Sequence, residues 1–503
     1  MKLLKILTII FLVFYVFSAY AQDVQFYIQI EDNNLIPKVT KDKTSERLIT
    51  NSKDFELNKL YSKFEIKKFE KAFPTAVTPS LNNVYHVICN SADLGEELRG
   101  KYKEKVPRLE FIEESVLTYD PNDNGLAAGQ TNLDLINTKG AWDIIYGLPL
   151  IDIAISDNYF DLNHEDLNMS LFSGSNTIPS SYPQHGIFVA GMAATITDNN
   201  KGIASVGFKT HLAVTTNRTD NQNLLLAQAG YRVINCSWTY GCTCNSFANT
   251  LYNEIRNVWN TLVVFGAGNA GTNHCGNSNP SYPASYAANI AVTSVGHLFN
   301  VGTTQSPVNN NWKNVHEEII GDSLSAHKHH STMDICAPGY NVNSTDLMGS
   351  AGKSSGNYTN DWGTSFAAPQ IAAALGLIIS INPCLSANQA AAILLDNADN
   401  SIYNIPQNQR YIGRLGSGRL DVNASVNAAA ESATTYLDGV TLSGNQTIKD
   451  NYAIRAVNNV ALTSTANINL ITRKVVAIDK NFTVPVGAIL SIDVNANNSV
   501  NCN

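Results

Sequence analysis

Gly363-Thr364-Ser365-Phe366-Ala367-Ala368-Pro369, continued by Gln370-Ile371-Ala372-Ala373-Ala374-Leu375-Gly376-Leu377-Ile378-Ile379-Ser380, is the stretch around which the rest of the chain is arranged. Beyond Pro369 the side chains are small or apolar on every side, the pattern of a helix buried all round. A proline is tolerated in the first turn of a helix and not in its interior, so the helix is expected to begin close to Ser365. Ser365 then lies at or beside the N-cap. There, unpaired backbone N–H groups and the positive end of the helix dipole favour negative charge on its oxygen. An ordinary capping serine would read the same way, so this stretch alone leaves nucleophile and cap both open.

Working outward, charge is sparse from Leu126 onward, and strand-like runs alternate with small-residue helical runs. The strand-like runs are LIDIAIS (150–156), HLAVTT (211–216), YRVINCSW (231–238), TLVVFGAG (261–268) and NIAVTSVG (289–296). Short apolar runs without alternation suit strands buried on both faces of a parallel sheet. The expected fold is therefore α/β, with helices on both sides of a mainly parallel sheet. Asp157 and Asn269 fall just past strand ends, where such sheets place their sites.

Four motifs follow in order: Asp157 after its strand, His185-Gly186-Ile187-Phe188-Val189-Ala190-Gly191, Gly266-Ala267-Gly268-Asn269, and Gly363-Thr364-Ser365. Together they resemble the subtilisin family of serine proteases from about Thr131 to Ala430, which implies that family's three-layer α/β/α fold. The resemblance implies a serine endopeptidase working through an acyl-enzyme. Asp157 would orient and stabilise the imidazolium, His185 would act as general base, and Ser365 as nucleophile. The Asn269 amide and the Ser365 backbone N–H would hold the oxyanion. Ser237, Trp238 and Thr239 would pair with an extended substrate. Ala267 and Gly268 would form the facing wall of the primary pocket, with Ser281 at its base. Ser281, Trp238 and Thr239 would then narrow that pocket toward small or medium apolar residues.

The stretch from Asp157 to Leu167 keeps the gaps of the family's D-[ST]-G-x-x-x-x-H-P-D-L but departs at Asn158, Tyr159 and Glu165. Tyr159 stands where a glycine is usual, so a turn that tolerates a β-carbon is expected there. Asp152 is a rival for the acid role, and the spacing to His164-Glu165-Asp166-Leu167 favours Asp157. In the histidine motif, Ile187 and Phe188 replace a usual Thr-His. A protease-like fold that has lost activity and serves as a secreted binding or adhesion module is the alternative. The departures at Asn158-Tyr159 and Ile187-Phe188 favour it, and the four motifs together favour the enzyme.

The flanks read differently. Residues 1–21 carry Lys2 and Lys5, an apolar run and Ala19-Tyr20-Ala21, the pattern of a secretory signal peptide cut before Gln22. Residues 22–125 are rich in Lys and Glu, and their second half reads strand, helix, strand (VYHVIC, SADLGEELRGKYKEK, RLEFIEESVLTY). Ahead of a protease this resembles an α+β inhibitory propeptide, a partner of the chain's own cleft, with maturation cleavage between Tyr119 and Gln130. The catalytic domain is expected over 126–432. Residues 433–503 alternate apolar and polar side chains with Asn and Gly turns, a small all-β module in which AIRAVNNVALTSTANI and VVAIDKNFTVPVGAIL echo each other. Secretion, a zymogen, protein or peptide substrates and no membrane span in the mature protein follow from these readings.

No cofactor is required, although Asp198-Asn199-Asn200-Lys201-Gly202 is compatible with a structural calcium as well as with a plain polar turn. His327, His329 and His330, with Lys328, are expected on an exposed loop. Of eight cysteines, Cys236 and Cys336 sit in apolar runs as core thiols, and Cys275 is within reach of Cys242 or Cys244. The net charge of −8 and the absence of a basic stripe give nucleic acid no support as a partner.

Overall fold

The computed structural model describes residues 24–41, 48–51, 54–73, 78, 81–91, 93–112, 120–123, 125, 130–175, 185–269, 276, 278–296, 328–354, 356–479, 481–499 and 502. The signal peptide and Tyr119 fall outside them, as do His327 and Cys275. The chain divides into two compact units, Met1–Leu117 and Thr118–Asn503.

The first unit is a four-stranded antiparallel sheet in the order Ile66–Lys71, Val84–Cys89, Val24–Gln29, Arg108–Ile112. Helices Phe55–Tyr61 and Asp93–Lys101 complete a β-α-β-β-α-β chain order. Their buried Leu57, Leu60, Leu94 and Leu98 meet Phe26, Ile28 and Val87 of the sheet in one core. The sequence reading caught the second half of this unit. It missed the first, where Lys and Glu on the solvent faces of the short elements obscure the apolar stripe.

The second unit is built on seven parallel strands: β1 Ile153–Ser156, β2 Met169–Ser173, β3 Leu212–Thr215, β4 Val233–Cys236, β5 Leu262–Gly266, β6 Ile290–Val295 and β7 Ile335–Pro338. Their order is β7-β6-β5-β4-β1-β3-β2, every neighbouring pair parallel. Successive side chains in a strand point to opposite faces, and the two cores divide accordingly. Ile153, Ile155, Val233, Leu262, Val264, Ile290 and Val292 join helices α1 His185–Ala193 and α4 Thr364–Ile381. Ala154, Ile234, Val263, Phe265 and Ala291 join α2 Asp220–Gln228 and α3 Ser246–Asn257. This is the three-layer α/β/α architecture read from the sequence.

α4 is the only described helix long and apolar enough to cross a membrane, and it is a core helix. Of its eighteen residues, all but Ser365 are buried. Likewise, every residue of α1 except His185 is buried.

Residues of the expected linker belong to the second unit. The Asp123 carboxylate accepts from the Asp198 and Asn199 backbone at 2.7 and 3.3 Å. Beyond Ser432 the chain winds into three parallel coils. Thr434–Asp438, Ala453–Val457 and Val475–Ile478 stack on one face, and Asn445–Asp450, Asn467–Thr472 and Ile489–Val494 on another. The two echoing sequences lie side by side, Ala453 against Val475 and Ile468 against Leu490. This module docks at the C-terminal end of α4, about 25 Å from Ser365 at 1.5 Å per residue. Arg473 donates to the Ser380 carbonyl at 3.1 Å, and a disulfide joins Cys384 to Cys502.

Candidate active site

Four elements, β1, α1, β5 and α4, bring the motif residues together. His185, Asn269 and Ser365 line one cavity of about 340 Å³ with Ser237, Trp238 and Gly268 among others, and Asp157 is buried beside His185. Asp157 leaves β1, and its backbone N–H donates to the Thr215 carbonyl at 3.0 Å. Its Oδ1 accepts from the Asn158 N–H at 2.7 Å and lies 2.7 Å from His185 Nδ1. The carboxylate is buried, with 1% of its side chain exposed against 29% for His185. Burial opposes charge on His185, yet the charge of Asp157 and its hydrogen bond outweigh burial, so the imidazole pKa is raised above 6.5. The rival acid Asp152 is engaged elsewhere, 3.0 Å from His211 Nδ1.

The approach of α1 to the Asp157 turn requires Gly186. A β-carbon there would stand 1.8 Å from the Asn158 carbonyl oxygen. Tyr159 corrects an expectation: its φ is 38°, so the turn keeps the left-handed conformation that glycine favours and Tyr159 bears the strain. Phe188, at the position of the family's second histidine, packs on Phe366 with ring centroids 4.2 Å apart, and Phe366 in turn lies 5.6 Å from the His185 ring. An apolar brace therefore stands behind the imidazole.

α4 begins at Thr364 with Gly363 as N-cap, which places Ser365 second in the helix and Pro369 in its second turn rather than its first. Pro369 has no N–H to offer the Ser365 carbonyl, the acceptor four residues back. Ser237 supplies the missing donor: its hydroxyl donates to the Ser365 carbonyl at 2.8 Å and accepts from Asn235 Nδ2 at 3.0 Å. Ser365 Oγ donates to the Ser237 carbonyl at 3.4 Å. No hydrogen bond joins Ser365 to His185 among the described residues.

Thr364, which the sequence reading did not single out, orients Asn269. Its N–H and hydroxyl both donate to Asn269 Oδ1, at 3.0 and 3.2 Å, and its Oγ1 accepts from Gly268 N at 2.9 Å. With Oδ1 so fixed, Asn269 Nδ2 lies on the side of Gly363. That residue has φ 149°, and a β-carbon on it would come within 3.1 Å of Nδ2. The signal for Thr364 was present in the Gly-Thr-Ser triplet.

Ser237, Trp238, Thr239 and Gly268 line the cavity, together with Gly266, Asn158 and Arg218, the last of which no sequence motif pointed to. Ala267 and Ser281 do not line it: both are fully buried, and the Ser281 hydroxyl donates to the Ala267 carbonyl behind the wall. The Trp238 indole N–H donates to the Ser156 carbonyl at 3.1 Å, which holds the ring against β1.

Lys328, His329 and His330 are buried, contrary to the exposed loop expected. Lys328 Nζ donates to the Gly276 carbonyl at 2.8 Å, His329 packs edge-on to Tyr411, and burial lowers the His330 pKa to about 4. Around the Asp198–Gly202 loop the carboxylates face N–H donors. Asp166 accepts from Asn199 Nδ2 and Ile203 N at 2.8 and 3.0 Å, and burial raises its pKa to about 6. Among the described residues, no three His, Cys, Asp or Glu side chains converge as a set of metal ligands. Cys236 and Cys336 are free and buried, and Cys242 is disulfide-bonded.

A model of the subtilase family matches residues 151–418. The chain is 29% identical over 295 residues to the thermophilic serine proteinase of Bacillus sp. (strain AK1), a match covering 54% of this chain and 64% of that protein. It is 29% identical over 297 residues to thermitase of Thermoactinomyces vulgaris, covering 56% of this chain and 92% of that protein. It is 26% identical over 312 residues to halolysin of Haloferax mediterranei, covering 58% and 52%. A solved structure described as proteases from Pseudoalteromonas arctica PAMC 21717 superposes with a TM-score of 0.48 at 22% identity, over 62% of this chain and 100% of that one.

Proposed function

Because the chain belongs to the subtilase family, we propose that it is a secreted serine endopeptidase made as a zymogen. The observation that carries the reading is the buried Asp157 carboxylate 2.7 Å from Nδ1 of His185, which itself shares one cavity with Asn269 and with Ser365 at a helix start. In the proposed cycle the Ser365 hydroxyl leaves the Ser237 carbonyl by rotation about Cα–Cβ and gives its proton to His185 Nε2. The Ser365 oxygen attacks the scissile carbonyl carbon. The oxyanion accepts hydrogen bonds from Asn269 Nδ2 and from the Ser365 backbone N–H, both fixed before reaction and so stabilising without reorganisation. Asp157 holds Nδ1 protonated and stabilises the imidazolium, which then protonates the leaving amine. Water repeats the sequence on the acyl-enzyme. No cofactor enters.

The Met1–Leu117 unit is proposed to be the propeptide, by its place ahead of the protease and its β-α-β-β-α-β build. Secretion rests on the N-terminal residues 1–21 and on relatives such as the extracellular protease of Xanthomonas campestris. A fluorophosphonate that labels hydroxyl nucleophiles tests the central claim. Labelling at Ser365 that disappears in His185→Ala supports it. A mature protein that neither labels nor cleaves casein refutes it and leaves the binding-module alternative.

A further inference from the structure

The C-terminal edge of the sheet sets the order of the cavity walls. β5, β4, β1 and β3 lie side by side, with Phe265 beside Cys236, Cys236 beside Ser156, and Ser156 beside Thr215. Gly266 closes β5 and Gly268 follows it, Ser237–Thr239 leave β4, Asn158 follows β1, and Arg218 follows β3. A peptide extended along Ser237–Thr239 turns alternate side chains to opposite sides. If the P1 side chain enters between β4 and β5, against Gly268, the next side chain upstream faces the other way. In that register it would meet His185, Asn158 and Arg218, which line the same cavity.

Arg218 is exposed and lines the cavity. Among the described lining residues it is the one side chain with a permanent charge, and no described residue pairs with it. Its positive charge reaches His185, where it opposes protonation against the pull of Asp157. The other charge felt there, Asp361, is already held by Lys353 at 3.0 Å. The neighbouring Asp220 accepts from Tyr252 and Tyr240 at 2.7 and 3.3 Å.

We propose that Arg218 is a specificity-determining residue that selects an acidic side chain at P2, the residue immediately before P1. The proposal rests on the protease reading above. A guanidinium meets a carboxylate as a planar, two-pronged donor, and among the described residues Arg218 has no internal carboxylate to give up first.

Matched peptides with Glu, Gln or Lys at P2 and Leu at P1 test it. An exposed pair is worth a factor of a few, and replacing attraction by repulsion adds a similar factor. The expected order of kcat/KM is Glu above Gln above Lys, with Glu about tenfold over Lys at low salt. The ratio should shrink toward one at 1 M salt, where screening acts within about 3 Å. Arg218→Gln should bring the Glu:Lys ratio to about twofold or less, and Arg218→Glu should invert it. A wild-type ratio near one, or a tenfold ratio that survives in Arg218→Gln, overturns the proposal.

Affinity of the Ser365→Ala protein, freed of the residues before the cut site, for the same peptides gives a second readout that needs no turnover. A P2 preference in binding without cleavage by the wild type would overturn the protease reading and uphold the role of Arg218. Cleavage with no preference in either readout would do the reverse.

Discussion

The carbonyl that Pro369 leaves without a helix donor offers a direct test of how the nucleophile is held. Ser237 donates to that carbonyl at 2.8 Å and is itself 6% exposed. Removing a hydroxyl from such a place leaves a buried acceptor unpaired, at a cost of about 1–3 kcal/mol. Ser237→Ala should therefore destabilise the chain by that amount. For a unit of this size the melting temperature falls by about 1 °C per kcal/mol, since the unfolding entropy scales with length. Pro369→Ala restores an N–H aimed at the Ser365 carbonyl, so in that background Ser237→Ala should cost about 1 kcal/mol less. The four proteins of the cycle would be compared by calorimetry, each carrying Ser365→Ala to prevent self-digestion. Equal costs of Ser237→Ala in both backgrounds would mean that Ser237 does not stand in for the missing helix bond.

Asn269→Ala should lower kcat by about 10²–10³, the size usual for one oxyanion donor, with KM little changed because the bond forms mainly in the transition state. A rise in KM at constant kcat would place Asn269 in ground-state binding instead. The log of kcat/KM should rise with pH through an apparent pKa above 6.5, because the base works only when neutral and Asp157 favours its charged form. Asp157→Asn should lower both that pKa and kcat, and an unmoved pKa would detach Asp157 from the base. Ser365→Ala, made in a protease-deficient host, should be recovered with residues 122–130 uncut, where the wild type begins within or near them. The same N-terminus in both proteins would assign maturation to another protease. Cys384→Ser opens a bridge between residues 118 apart and should cost about 2–5 kcal/mol, read as a lower melting temperature. An unchanged melting temperature would show that the C-terminal coils hold without the bridge.

The α/β core could be read from the sequence because burial on both faces leaves its mark on each central strand. The four residues of β1 and the six of β6 are buried without a break, so neither strand alternates apolar with polar side chains. The same holds for α4, whose small apolar residues announced a central helix before any partner was known. Asp157, His185, Asn269 and Ser365 were legible because each closes a strand or opens a helix, so local pattern marked them.

What tertiary structure alone decided lies between elements distant in the chain. Ser281 has the same sequence neighbours whether it floors the pocket or hides behind its wall, and only the fold of its loop turned the hydroxyl onto Ala267. Lys328, His329 and His330 look like solvent residues until Gly276, Tyr411 and Thr332 receive them. Arg218 gave no local signal. It belongs to none of the four motifs, and it reaches the cavity of His185 because β3 pairs with β1, although β2 and α1 lie between those two strands in the chain. Strand order is set by the pairing of surfaces after collapse, and a pattern along one strand carries no record of which neighbour it will meet.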